Sequence, residues 1–151
     1  TPQHSAIQKP CYRMAPGDED LAPRKAHADD AAFDIRASRD VVVATQTAEL
    51  VPTGLFLELP SGFEAQIRPR SGLAFKQSIT MLNAPGTIDA GYRGEIMIPL
   101  YNAGTQPFRL ERGDRIAQMV IQKLPAVELV PVTKLSGSER GDRGFGSTGT
   151  E

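Results

Sequence analysis

Twelve prolines and fourteen glycines cut this 151-residue chain into short pieces, and that punctuation constrains its fold more than any other feature. Proline removes a backbone donor and glycine favours turns, so long helices are excluded. The apolar runs between the breakers alternate with a period of two. Leu55, Leu57 and Leu59 alternate with Phe56 and Glu58 between Gly54 and Pro60. Ile96, Ile98 and Leu100 alternate with Met97, Pro99 and Tyr101, and RIAQMVIQKL (115–124) and VELVPV (127–132) read the same way. Alternation with frequent breakers predicts antiparallel strands. One short helix is predicted around SGLAFK (71–76). The expected fold is all-β, a jelly-roll-like antiparallel subunit with a single helical turn.

A chain of this length fits one domain with a real core. The reading divides it into a partly irregular N-terminal segment (1–24), a β domain (25–135) and a flexible C-terminal arm (136–151), with both ends outside the core. The arm, SGSERGDRGFGSTGTE, holds five glycines and one large apolar side chain, Phe145. Alone it buries too little surface to offset its ordering entropy. A linker or frayed tail fits that composition. So does an arm that closes over a ligand, with an aromatic to stack and Arg140 and Arg143 for anions. Net charge is −1, without the basic footprint of a duplex binder. No apolar run reaches the ~18 residues of a membrane span, and no secretory leader is read. Neither a nucleic-acid partner nor a membrane is expected. The single cysteine, Cys11, excludes an internal disulfide and fits a reducing, cytoplasmic compartment, with nuclear or organellar locations left open.

Five segments hold the chemistry-bearing residues. GTIDAGYRGE (86–95) places Asp89 among Gly86, Gly91 and Gly94, with Tyr92 three residues on. Glycines at this density suggest a tight hairpin or a close backbone–ligand approach, and Asp89 is either a turn-former or aimed at something. RPRSGLAFK (68–76) sets Arg68 and Arg70 two apart on a strand, with Ser71 as N-cap of the helical turn. That is an anion site or a capped turn beside solvated arginines. DDAAFDIRAS (29–38) holds Asp34 between Phe33 and Ile35, turned outward or paired, with Arg36 on the same face as its partner. In ERGDRIAQMVI (111–121), Ile116, Gln118 and Val120 share a face, so Gln118 needs partners from backbone or ligand. Asp114 and Arg115 read as a local ion pair and turn. The Arg-Gly-Asp triplets at 112–114 and 140–142 are given no adhesion role.

AAFDIRA, PRSGLA, GTIDAGYRGE, GDRIAQ and RGDRGFGSTG together resemble, in order and spacing, the five signature motifs of the trimeric dUTPases, over about residues 25–149. The resemblance implies a jelly-roll subunit in a homotrimer, with active sites shared between subunits and the arm arriving from a neighbour. Sixteen extended residues span roughly 50 Å, ample for that reach. It implies hydrolysis of dUTP to dUMP and pyrophosphate, which limits uracil incorporation into DNA, with Mg2+ held by the triphosphate and waters. Asp89 is then the general base for the water that attacks the α-phosphorus. Tyr92 lies against the deoxyribose and rejects a 2′-hydroxyl. Backbone around Asn83 reads the uracil edge, with Gly86, Thr87, Ile88 and Met97 also on the substrate. Arg70, Ser71, Gly72 and Gln118 meet the phosphates. From the arm, Phe145 stacks on uracil, Arg140 meets the γ-phosphate, and Gly146, Ser147 and Thr148 wrap the triphosphate. Asp34 helps order the metal's water shell, and no residue ligates the metal directly.

Two departures stand out. The first motif usually reads Ala-Gly-Tyr-Asp and here reads AAFD. The fifth usually has two glycines before its aromatic, and here Arg143-Gly144 precedes Phe145. Two alternatives use the same scaffold: a dCTP deaminase, which needs an acid–base glutamate at the base, and a non-catalytic nucleotide-binding regulator.

Overall fold

The alternating runs pair into two four-stranded antiparallel sheets and a two-stranded ribbon in the computed structural model, which describes residues 7–146. Strands β1 (Cys11–Met14), β4 (Ala48–Glu58), β8 (Glu95–Asn102) and β6 (Ile79–Met81) form one sheet in the order β1-β4-β8-β6. Strands β2 (Phe33–Arg36), β10 (Arg115–Lys123), β5 (Phe63–Arg68) and β7 (Gly86–Asp89) form the other in the order β2-β10-β5-β7. β3 (Val41–Val43) and β9 (Phe108–Leu110) make the ribbon, and one helix, α1 (Ser71–Gln77), follows β5.

The core lies between the sheets. Leu55, Leu57 and Leu59 from β4 and its end meet Ile96, Ile98 and Leu100 of β8, all buried, against Ile35, Ala65, Ile67 and Met119 of the opposite sheet. Each of these leucine, isoleucine and methionine side chains contributes about 1.5–3 kcal/mol on burial. The helix stands on the surface, with no buried residue and Phe75 exposed.

Four local expectations are corrected. Residues 127–132 form no strand, and Val127, Leu129 and Val130 are exposed. Alternation makes a segment compatible with a sheet, but a strand also needs an edge to pair with, and past Lys123 the chain leaves its own sheets. In β10 a register shift between Arg115 and Ala117 carries Ile116 into the core cluster with Ala117 and Met119, off the face of Gln118 and Val120. A bulge inserts one extra residue and breaks the alternation there. Segment 86–95 is not a two-stranded hairpin: β7 pairs with β5 and β8 with β4 and β6, so this segment carries the chain from one sheet to the other. The described part of the N-terminal stretch is not outside the fold, since β1 pairs with β4 and Leu21 is buried.

That stretch is pinned by Arg112. Its guanidinium donates to both carboxylate oxygens of Asp20 at 2.8 and 3.0 Å, to Asp18 at 3.2 Å and to the Gly17 carbonyl at 3.0 Å. The Arg112 hydrogen bond holds the Asp20 carboxyl below the usual aspartate range. A depressed acid stabilises the fold above its unfolded pKa and stops doing so as pH falls through its folded value. Arg112→Gln is therefore expected to lower the thermal midpoint at pH 7. The gap from the unmodified protein should close as pH drops below ~4; melting curves at several pH values check this, and a gap independent of pH contradicts it.

Candidate active site

The Ala84–Pro85 bond is cis, and a Cβ at Gly86 would stand 3.3 Å from Asn83 Nδ2 and 3.5 Å from the Asn83 carbonyl oxygen. Gly86 is thus set by close approach to Asn83. Asp89 ends β7 with its side chain exposed. The crossing turn that follows is closed by the Tyr92 N–H donating to the Asp89 carbonyl at 3.1 Å. It is further held by the Tyr92 hydroxyl donating to the Glu95 carbonyl at 2.9 Å and by Arg93 donating to the Ala90 carbonyl at 2.6 Å. Thr87, Ile88, Asp89, Tyr92 and Met97, with Glu95 and Ile96, line a cavity of ≈ 240 Å³. Five residues expected at the substrate are thereby brought together. The carboxylate of Glu95 points elsewhere: it accepts the backbone N–H groups of Thr53 at 3.2 Å and Gly54 at 3.0 Å.

A second cluster forms where β2, β10 and the end of β5 meet. Gln118 pairs in register with Asp34 on one side and Arg68 on the other, and its Nε2 donates to the Pro69 carbonyl at 3.0 Å. Arg70 is the N-cap residue of α1, in extended geometry, and no side chain caps that helix. Ser71 is therefore the first helical residue and not the cap. The exposed first-turn N–H groups of a helix are unsatisfied donors that suit an anion, and Ser71 and Gly72 supply them here. Arg70 Nη1 donates to the Arg115 carbonyl at 2.9 Å. Burial, then repulsion from Arg115, holds the Arg70 guanidinium below the usual arginine value, with Asp34 opposing and Arg36 adding. Asp34 meets Arg115 at 3.8 Å, whereas Arg36 donates to the Gly113 carbonyl at 2.7 Å. Asp34 is thus paired across the sheet with Arg115 and not along its strand with Arg36. Asp114 closes the turn by accepting the Glu111 N–H at 2.8 Å and makes no ion pair with Arg115.

Three guanidiniums around one carboxylate leave a net positive site. Arg115 and Arg36 were missed as members of it, because the cross-strand register that groups them is not written in local sequence. Among the described residues no three His, Cys, Asp or Glu side chains come together to hold a metal ion.

The described part of the arm bonds only to itself. Arg140 Nε donates to the Arg143 carbonyl at 2.7 Å and Arg143 Nε to the Arg140 carbonyl at 2.9 Å. Phe145 is fully exposed. Gly146 ends the described chain with a φ of 71°, and Ser147 and Thr148 lie outside the described residues.

The two clusters are offset from one another along the sheet. Asp89 lies opposite Glu64 and Gln118 opposite Arg68, so roughly 13 Å of strand rise along β5 separates their registers. Arg70 lies further still along the chain.

The family model for dUTPase matches residues 19–149, and so spans both clusters and most of the arm. The chain belongs to the dUTPase family. Among relatives, the deoxyuridine 5'-triphosphate nucleotidohydrolase of Gloeothece citriformis (strain PCC 7424) is 51% identical over 129 residues, which cover 85% of this chain and 89% of the relative. The protein of that name from Clostridioides difficile is 48% identical over 132 residues, covering 87% and 92%. Among solved structures, the Staphylococcus bacteriophage 80alpha dUTPase with dUPNHPP superimposes with a TM-score of 0.86 at 27% identity, covering 95% of this chain and 99% of that one. Within the dUTPase family the first-motif departures fall on Ala32 and Phe33, and Phe33 packs on the core with Lys25 Nζ 4.9 Å from its ring centre. The missing hydroxyl is therefore lost from a packing position.

Proposed function

We propose that this chain hydrolyses dUTP to dUMP and pyrophosphate at sites shared between three copies. The observation that carries the reading is the split along β5. The exposed acid with its cavity and the arginine–glutamine cluster are offset along β5, whereas the proposed hydrolysis needs the α-phosphorus at Asp89 and the adjoining phosphates at the arginines, which a second copy's cluster would supply. Val127, Leu129, Val130, Val132 and Leu135, all exposed and apolar, fit cover by a neighbouring subunit.

In this reading uracil sits by the backbone of Asn83 and Gly86, and Tyr92 and Met97 flank the sugar. Arg70, the N–H groups of Ser71 and Gly72, and Gln118 hold the phosphates and stabilise charge on them as it develops. Asp89 accepts a proton from a water whose oxygen attacks the α-phosphorus. The bond from that phosphorus to the α,β-bridging oxygen breaks, and pyrophosphate leaves. Arg140, Phe145, Gly146, Ser147 and Thr148 close from a neighbour's arm and exclude bulk water. When bound, Mg2+ would neutralise phosphate charge, reaching the protein through water at Asp34. The scattered carboxylates fit an ion carried by its substrate. A cytoplasmic setting goes with this reading; among the described residues no helix is long and apolar enough to cross a membrane.

Glu95 weighs against deamination on the same scaffold, because both its backbone contacts tie it to β4. The test is pyrophosphate release from dUTP and UTP with Mg2+, run beside a sizing column. A strong dUTP preference and a trimeric mass are expected. An inert protein, or ammonia released from dCTP, overturns the reading.

A further inference from the structure

Gly94 is the glycine of the crossing turn whose missing side chain has a specific consequence. Its φ lies outside the left-handed region, so its backbone has no need of glycine. A Cβ built there would lie 2.7 Å from Tyr92 Cζ and 3.1 Å from Tyr92 Cε1, and closer again to the phenol oxygen. The three nearest atoms all belong to that one ring, whereas a Cβ at Gly91 meets nothing within 4 Å. The ring rests over residue 94, with its hydroxyl bonded to the Glu95 carbonyl at 2.9 Å.

We propose that Gly94 is a positioning and specificity-determining residue: by having no side chain it lets the Tyr92 ring sit back from the cavity and so sets the depth of the sugar subsite. The inference rests on the dUTP reading above and adds a residue to it. Tyr92 lines the cavity and Gly94 does not, so a methyl at 94 presses the ring from behind, toward the space beside Asp89 and Met97. The ring can yield, because it is the far end of a rotatable side chain, and it yields by leaving its bond to Glu95. The fold is spared, because the backbone geometry at 94 suits alanine. What changes is the room for a pentose between Tyr92 and Met97.

The test is a double-mutant cycle. Gly94→Ala is expected to raise KM for dUTP about tenfold while kcat stays within about threefold, because ground-state fit of the sugar is what is lost. In a Tyr92→Ala background the same Gly94→Ala change should alter KM by less than about twofold, since the two residues act on one contact. A purely structural role for Gly94 would give the same loss in both backgrounds. An unchanged KM in Gly94→Ala, a KM shift that persists without the tyrosine ring, or a variant that no longer folds by melting curve and sizing column each overturns the proposal. Unmodified protein inert toward dUTP overturns the functional reading instead. In that case the ring displacement is judged from the Tyr92 ring resonances of Gly94→Ala against the unmodified protein, and identical resonances overturn it.

Discussion

Asp89→Asn is expected to lower kcat for dUTP by about 100-fold or more, with KM changed far less, since removal of a general base typically costs that much. The substitution keeps the size of the side chain and removes its proton affinity. Its structural cost should be small, because Asp89 ends β7 with an exposed side chain, and its described fold contacts, the ladder with Glu64 and the backbone bond to Tyr92, are main-chain ones that asparagine retains. The loss therefore reports chemistry and not folding. Single-turnover pyrophosphate release from both proteins, with melting curves to show equal stability, measures it. Equal turnover would remove Asp89 from the mechanism and leave the cavity as a binding site only.

Removing residues 137–151 is expected to cost turnover on a similar scale, roughly 100-fold, while the mass on a sizing column stays that of the proposed trimer. The physical ground is that the described part of the arm hydrogen-bonds within itself. Its described hydrogen bonds run between Arg140, Arg143, Glu139, Ser138 and Gly141, and Phe145 is fully exposed. A segment whose described hydrogen bonds all run within itself should be removable without loosening the sheets, yet it carries the aromatic and the arginine proposed to close over the nucleotide. The reciprocal Arg140–Arg143 bonds also give Arg143 a role at rest: it holds the turn that Arg140 would leave to reach a phosphate in the proposed reading. A truncated protein that falls apart into monomers would contradict this division of labour, and one with undiminished turnover would remove the arm from catalysis.

Much of this architecture is legible in the residues. Leu55, Leu57 and Leu59, and Ile96, Ile98 and Leu100, fall in the core where their alternation predicts, because a strand's side chains alternate faces by geometry alone. The helix after Arg70 lies within a residue of its expected span. The motifs that point to the dUTPase family are contiguous strings, and contiguous strings survive in sequence whatever the fold does.

What sequence leaves open involves partners distant along the chain. The ion partner of Asp34 is Arg115, 81 positions away, and not Arg36 beside it; β2–β10 register makes that choice. Gln118 finds the carbonyl of Pro69 by the same route. VELVPV has the pattern of a strand and joins no edge among the described residues, since pairing is a property of two segments and a pattern belongs to one. The amino-acid order thus set which residues face inward, where the chain turns and which chemistry it carries. Tertiary structure decided that β7 and β8 belong to different sheets, that acid and arginines stand at opposite ends of β5, and that Gly94 makes room for Tyr92. Local geometry is encoded within a few residues, whereas distances across a sheet exist only once its strands have chosen their neighbours.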